Sequence, residues 1–228
     1  TVALGGFLFG FDTAVISGAE QSIQKVWQLN DFMHGVAIAI ALYGTVVGAL
    51  FGGIPADKIG RKQTLFWIGI LYFVSALGSA LSTDQYLFML FRLIGGVGVG
   101  ASSVVAPMYI SEIAPAKSRG KMVAMFQFNV VFGILIAYVS NYFLDGIASN
   151  SWRWMLGIEA LPALVFFLLV TKVPKSPRWL IVKKNDLSEA RKVLTLINPT
   201  QMDETINSIQ EGASQKQESS LRLVFSGK

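Results

Sequence analysis

Six times in its first 171 residues the chain runs close to the width of a lipid bilayer with almost no charge. Residues 1–19 contain only Asp12, residues 85–111 only Arg92 and residues 154–171 only Glu159. Residues 63–83 and 122–144 contain no charge, and 32–56 none besides the titratable His34. A helix needs about 20 apolar residues to cross the hydrocarbon core, so the pattern predicts six spans. The 228 residues are 53% hydrophobic and 14% charged, against roughly 25% charged in a soluble domain, and the mean hydropathy is +0.53. A soluble fold of this size cannot hide so much apolar surface, which excludes a soluble enzyme. Pro107 and Pro162 fall inside two spans, where neighbouring helices in a membrane bundle re-satisfy the backbone groups they free.

Charge placement sets the topology. Residues 1–171 carry 9 basic and 8 acidic side chains, whereas the last 57 residues carry 10 and 6, so the chain from 172 onward reads as water-exposed. Lys58, Arg61 and Lys62 separate spans two and three; Lys117, Arg119 and Lys121 separate spans four and five; the opposite loops hold only Lys25 and Arg153. The positive-inside bias puts both ends of this segment in the cytoplasm. The net charge of +5 is then a topology signal, and nucleic acid is not an expected partner. The start lacks the basic flank of a signal peptide, and the opening run without an initiator Met is read as following a missing N-terminus. Beyond Pro174 and Pro177, Asp186 N-caps an expected amphipathic helix over 186–197, a second short helix is expected near 203–211, and 214–220 reads as linker, with Leu221 onward approaching a seventh span.

Ionisable residues within spans are costly and are functional candidates. Asp12 precedes Glu20 by eight residues, Arg92 follows Asp84 by eight, and Glu159 follows Trp152 by seven. At 1.5 Å per residue Asp12 and Arg92 lie about 12 Å below the outer surface and Glu159 at a similar level, so a buried cluster is expected. It can be a static ion network, or a proton switch in which protonating Asp12 loosens its hold on Arg92. Gln127 and Asn129 are polar groups at depth on span five; Gln127 suits a sugar hydroxyl or an interhelical hydrogen bond. Phe9, Phe11 and Tyr43 suit stacking on a sugar or plain packing. Gly44, Gly48 and Gly52, and Gly96 and Gly100, recur every four residues and allow close helix approach. The run Gly95–Gly100 sits within an apolar helix, not between a strand and a helix, which argues against a dinucleotide loop. Cysteine is absent, and no metal constellation, cofactor motif or nucleophile–base pair is visible.

Several motifs carry a family resemblance. Gly53-Ile-Pro-Ala-Asp57-Lys58-Ile-Gly60-Arg61-Lys62 resembles the loop motif of the major facilitator superfamily. Gly10-Phe11-Asp12 through Gly18, Arg92 through Gly100, Pro107 through Pro115 with Arg119-Gly120, and Pro174-Lys175-Ser176-Pro177-Arg178-Trp179 resemble the sugar porter family within it, in particular its bacterial proton-coupled symporters of the xylose-transporter type. The resemblance covers essentially the whole chain. It implies an all-α membrane protein: a six-transmembrane-helix bundle over 1–171, the N-terminal half of a major facilitator fold. A cytoplasmic helical segment over 172–213 and a linker over 214–228 toward a second half would follow. It also implies monosaccharide transport by alternating access in the bacterial inner membrane, with protons, the lipid bilayer and a second six-helix half as partners. By position, Asp12 matches a proton-coupling aspartate and Arg92 its partner, with Glu159 joining through its shared depth. Gln127 and Phe9 match sugar-site residues. Asp57, Arg61, Glu112, Arg119 and Arg178 match a cytoplasmic gate network.

Two positions depart from the family pattern. Ile134 stands where a second sugar-binding glutamine is expected, which leaves the substrate open among pentose, hexose and polyol. Lys175 replaces a glutamate, which is expected to turn an attraction to loop arginines into a repulsion. The alternatives are a membrane sugar sensor and a uniporter without proton coupling; no catalytic constellation supports an enzyme.

Overall fold

In a computed structural model the structure describes residues 1–115, 118–197, 199 and 202–225, with side chains up to residue 215; Lys117 and the end of the expected linker lie outside them. The described residues fold almost entirely into helices. The membrane part comprises α1 (Leu4–Val26), α2 (Asp31–Phe51), the one-turn α3 (Gly53–Lys58), α4 (Arg61–Leu81), α5 (Gln85–Ile113), α6 (Arg119–Leu144), α7 (Ser151–Gly157) and α8 (Ala160–Lys172). α9 (Pro177–Trp179), a wide turn over Leu180–Lys184, α10 (Leu187–Ile197) and α11 (Met202–Phe225) follow.

Local chemistry starts these helices where they start. Asn30 Oδ1 accepts from the Met33 amide at 2.8 Å at the head of α2, and Asp84 Oδ1 accepts from Tyr86 and Leu87 at the head of α5, each satisfying otherwise unpaired first-turn donors. The sixth span is broken between α7 and α8. Pro162 has no N–H for the Ile158 carbonyl, and Leu161 donates to that carbonyl instead, at 3.1 Å. The break leaves Glu159 at the junction.

Among the described residues, five helical segments are long and apolar enough to cross a membrane: Asp31–Lys58, Arg61–Leu81, Gln85–Ile113, Arg119–Leu144 and Ser151–Lys172. The expected first span, α1, is 23 residues long but does not meet that measure. It carries Asp12, Glu20 and Lys25 with several small and hydroxyl residues, and is held inside the bundle by packing on α6, α5 and α7.

Glycine rows explain the packing. A Cβ on Gly44 would strike the Leu93 carbonyl, one on Gly48 the Val97 carbonyl, and, from the other side, one on Gly100 the Thr45 carbonyl. α2 and α5 therefore touch backbone to backbone, as the four-residue spacing predicted. A second row was not anticipated: Cβ atoms on Gly6, Gly10 and Gly133 would strike the carbonyls of Phe126, Val130 and Phe7, which joins α1 to α6. Asn141 Nδ2 locks that pair by donating to the Val15 carbonyl at 3.0 Å. Gly48→Ala is expected to cost about 1–3 kcal/mol, since backbone rather than a flexible side chain must give way; a thermal unfolding curve matching wild type would contradict this.

The bundle leaves large side chains such as Leu42, Phe128, Leu135 and Tyr138 exposed along α2 and α6, the surface of a protein whose surroundings are apolar. The tail has its own small core of Trp179, Leu180, Ile181, Ala190, Val193, Leu194 and Ile206. Asp186 Oδ1 accepts from the Glu189 amide at 2.9 Å and caps α10 as expected. The short helix expected near 203–211 runs instead from Met202 to Phe225, so residues 214–225, read as linker, are helical.

Candidate functional site

The charges expected at one depth meet. α1 carries Asp12 and α5 carries Arg92; both are 3% exposed, and Arg92 Nη1 donates to Asp12 Oδ1 at 2.5 Å, with Nη2 reaching the Asp12 carbonyl at 3.4 Å. Gly95, one turn from Arg92, lets α4 close on α5, because a Cβ there would strike Ser75 Oγ. Glu159, 2% exposed, interacts electrostatically with both Asp12 and Arg92. Its Oε1 has no hydrogen-bond partner, nor has Arg92 Nε. Two carboxyl groups thus share the site with one guanidinium, and only Asp12 holds it directly.

The sugar-site candidates lie on the tightly packed α1–α6 pair. Gln127 is exposed on α6 and makes no hydrogen bond among the described residues. Phe9 is half-buried and packs on the core, as does Ile134. One turn beyond Phe9, the exposed Thr13 hydroxyl donates back to the Phe9 carbonyl at 2.7 Å. Asn129 Nδ2 is spent on the Met125 carbonyl, and His34 is partly buried at the start of α2.

At the end carrying the basic loops, Arg61 is the hub. Its Nη1 contacts Asp57 Oδ1 and the Ala56 carbonyl, both at 2.9 Å; Nε and Nη2 converge on Glu112 Oε1 at 3.1 and 3.0 Å. Glu112 Oε2 accepts from Ser176 Oγ at 2.5 Å, and Ser176 Oγ accepts from the Trp179 amide. The Trp179 indole donates to the Asp57 carbonyl at 3.1 Å, and Tyr109 Oη donates to the Pro174 carbonyl at 2.6 Å. Gly60 is required twice over: its φ is +97°, and a Cβ would sit 3.0 Å from the Trp179 ring. The network therefore unites Asp57, Arg61 and Glu112 but not Arg119 or Arg178, which are exposed and form no ion pair among the described residues. Ser176 was not anticipated, although a serine before proline at a helix start is a recognisable cap. Lys175 does not face the loop arginines; it turns outward to Glu189, at 3.0 Å.

A multi-pass helical bundle with a buried aspartate–arginine pair and a charged lock at one end has the build of a membrane transporter domain. The chain belongs to the family described as "Sugar (and other) transporter", whose pattern matches residues 1–228, a family of transporters rather than enzymes. It is 44% identical over 214 residues to the D-xylose transporter of Levilactobacillus brevis, across 92% of this chain and 46% of that one. It is 40% identical over 210 residues to the D-xylose-proton symporter of Escherichia coli (strain K12), across 78% and 43%. The solved proton:xylose symporter XylE bound to 6-bromo-6-deoxy-D-glucose superposes with a TM-score of 0.91 at 35% identity, over 100% of this chain and 55% of that one. The inward-open xylose transporter XylE from E. coli gives 0.85 at 34% identity, over 93% and 55%. The chain thus spans about half the length of the relatives it matches and has the fold of the N-terminal half of the major facilitator architecture.

Proposed function

We propose that the chain is the first half of a proton-coupled monosaccharide transporter that works by alternating access. The observation that carries this reading is the buried Asp12–Arg92 pair with Glu159 beside it and one Glu159 oxygen unpartnered. Protonating Asp12 weakens its grip on Arg92 and lets the guanidinium lean toward Glu159, a two-state element that a proton biases. Sugar would lie between this half and a second six-helix half, with Gln127 hydrogen-bonding a hydroxyl and Phe9 meeting an apolar ring face. Asp57, Arg61 and Glu112 would hold the cytoplasmic side closed in the outward-facing state, with Arg119 and Arg178 joining through the second half. The basic loops support a bacterial inner-membrane protein with both ends of this segment cytoplasmic. Residues 1–171 form the membrane domain and 172–213 the cytoplasmic segment, with 214–228 leading to the second half.

The test is uptake by the full-length protein in proteoliposomes under an imposed proton gradient, with xylose, glucose and arabinose in turn. We expect accumulation above the external concentration for one class, abolished by a protonophore. Uptake that only equilibrates and ignores the protonophore would make the protein a uniporter; binding without uptake would make it a sensor.

A further inference from the structure

At the end of the bundle that carries the basic loops, two cavities lie side by side. One, of about 430 Å³, is lined by Lys58, Lys175 and Lys184 with Ile59, Trp67 and Trp179. The other, of about 300 Å³, is walled by apolar side chains of α2, α4 and α5, among them Val47, Phe51, Leu71 and Val97. Ile59 and Trp67 line both, so a basic mouth adjoins an apolar groove and together they offer an amphiphilic surface. Trp67 is 55% exposed and six residues along α4 from Arg61, about 9 Å along the helix axis. A depth of that order from a basic loop suits the headgroup-to-acyl boundary, where tryptophan is favoured.

The lysines at the mouth are not spent inside the protein. Lys58 and Lys184 have no carboxylate partner among the described residues; Lys184 lies over the Trp179 ring at 5.6 Å. Lys175 shares the carboxylate of Glu189, but this pair is well exposed, at 45% and 38%. Asp57, next to Lys58, is turned to Arg61. We propose that this surface binds an anionic phospholipid, with its phosphate among Lys58, Lys175 and Lys184 and an acyl chain along the groove. The charges favour an anion and the groove favours a hydrocarbon chain; a free phosphate would satisfy the first and make no use of the second. Lys175 is the position at which the chain departs from the motif it otherwise resembles, and a glutamate there would repel a phosphate. A lipid so bound joins the α3–α4 loop to α9 across Trp179.

The full-length protein in detergent, examined by native mass spectrometry with equal amounts of phosphatidylglycerol and phosphatidylcholine, tests this independently of transport. We expect preferential retention of phosphatidylglycerol that added inorganic phosphate does not displace. Lys58→Gln with Lys184→Gln lowers that preference by roughly fivefold for each lysine, Lys175→Glu lowers it further, and Trp67→Ala weakens retention of both lipids. An unchanged preference in the double variant overturns the proposal. Displacement by phosphate alone makes it a free-anion site, and no effect of Trp67→Ala means that another element, such as a helix of the second half, covers the groove; either outcome overturns it too. Should the variants fold poorly, wild type decides. Raising salt from about 0.1 to about 1 M shortens the screening length from about 10 to about 3 Å and must reduce the preference; if it does not, the proposal fails.

Discussion

Asp12→Asn in the full-length protein is expected to abolish uphill sugar accumulation while sparing sugar binding and exchange. The substitution keeps the shape of the side chain and an oxygen that can still accept from Arg92, so the 2.5 Å contact survives as a hydrogen bond from the charged guanidinium to an uncharged amide oxygen. What disappears is the group whose charge a proton can switch. Removing one partner of a buried ion pair ordinarily costs about 3–5 kcal/mol, because the other charge is stranded. Here Glu159 is buried alongside with an unpartnered oxygen, so a second carboxyl group remains in the site for the guanidinium, and the cost is expected to fall below that range. Counterflow of labelled sugar in proteoliposomes, measured beside gradient-driven uptake, separates the two effects. Proton-driven accumulation unchanged from wild type would sink the coupling role of Asp12. Loss of counterflow along with accumulation would instead make the pair a structural element.

The largest effect on stability is expected from Arg61→Ala. Arg61 is 8% exposed and ties together three chain segments: the end of α3, the end of α5 through Glu112, and α9 through Glu112 and Ser176. Its loss leaves Glu112, whose side chain is 7% exposed, with the Ser176 hydroxyl as its remaining partner. The cost is of order 3 kcal/mol, nearly all of it from the Glu112 contact, since Asp57 is 58% exposed and such a pair contributes little. Arg61→Lys is expected to recover only part, because a single ammonium cannot reach Asp57, Ala56 and Glu112 together as the guanidinium fork does. Thermal unfolding in detergent reads this directly; a midpoint within error of wild type for Arg61→Ala would refute the hub role.

Much of the fold was legible in the residues because a bilayer imposes a simple rule. Each span needs a long apolar run, and a charge inside such a run stands out. That rule located the helices, and equal distance from the outer loops predicted that Asp12, Arg92 and Glu159 would lie together. It served least well for α1, whose polar and small residues keep it below the apolarity of the other spans, and whose place inside the bundle is a matter of packing. The α2–α5 glycine row was readable from its four-residue spacing. The α1–α6 row was not, because Gly6, Gly10 and Gly133 face each other only once the two helices are paired.

Hydrophobic periodicity and charge placement along the chain determined the class of protein: helical, membrane-spanning, with its ionisable groups confined to one depth and its basic loops to one end. Motif order determined the family. Which charges pair was decided only by the tertiary structure. Arg92 takes Asp12 and leaves a Glu159 oxygen unpartnered, Arg61 takes Glu112, Arg119 and Arg178 stay outside, and Lys175 turns to Glu189. The reason is physical: spacing along a helix sets depth and face, whereas an ion pair depends on contacts of a few ångströms between chain segments far apart in sequence, and these exist only after the glycine rows have let the helices close on each other.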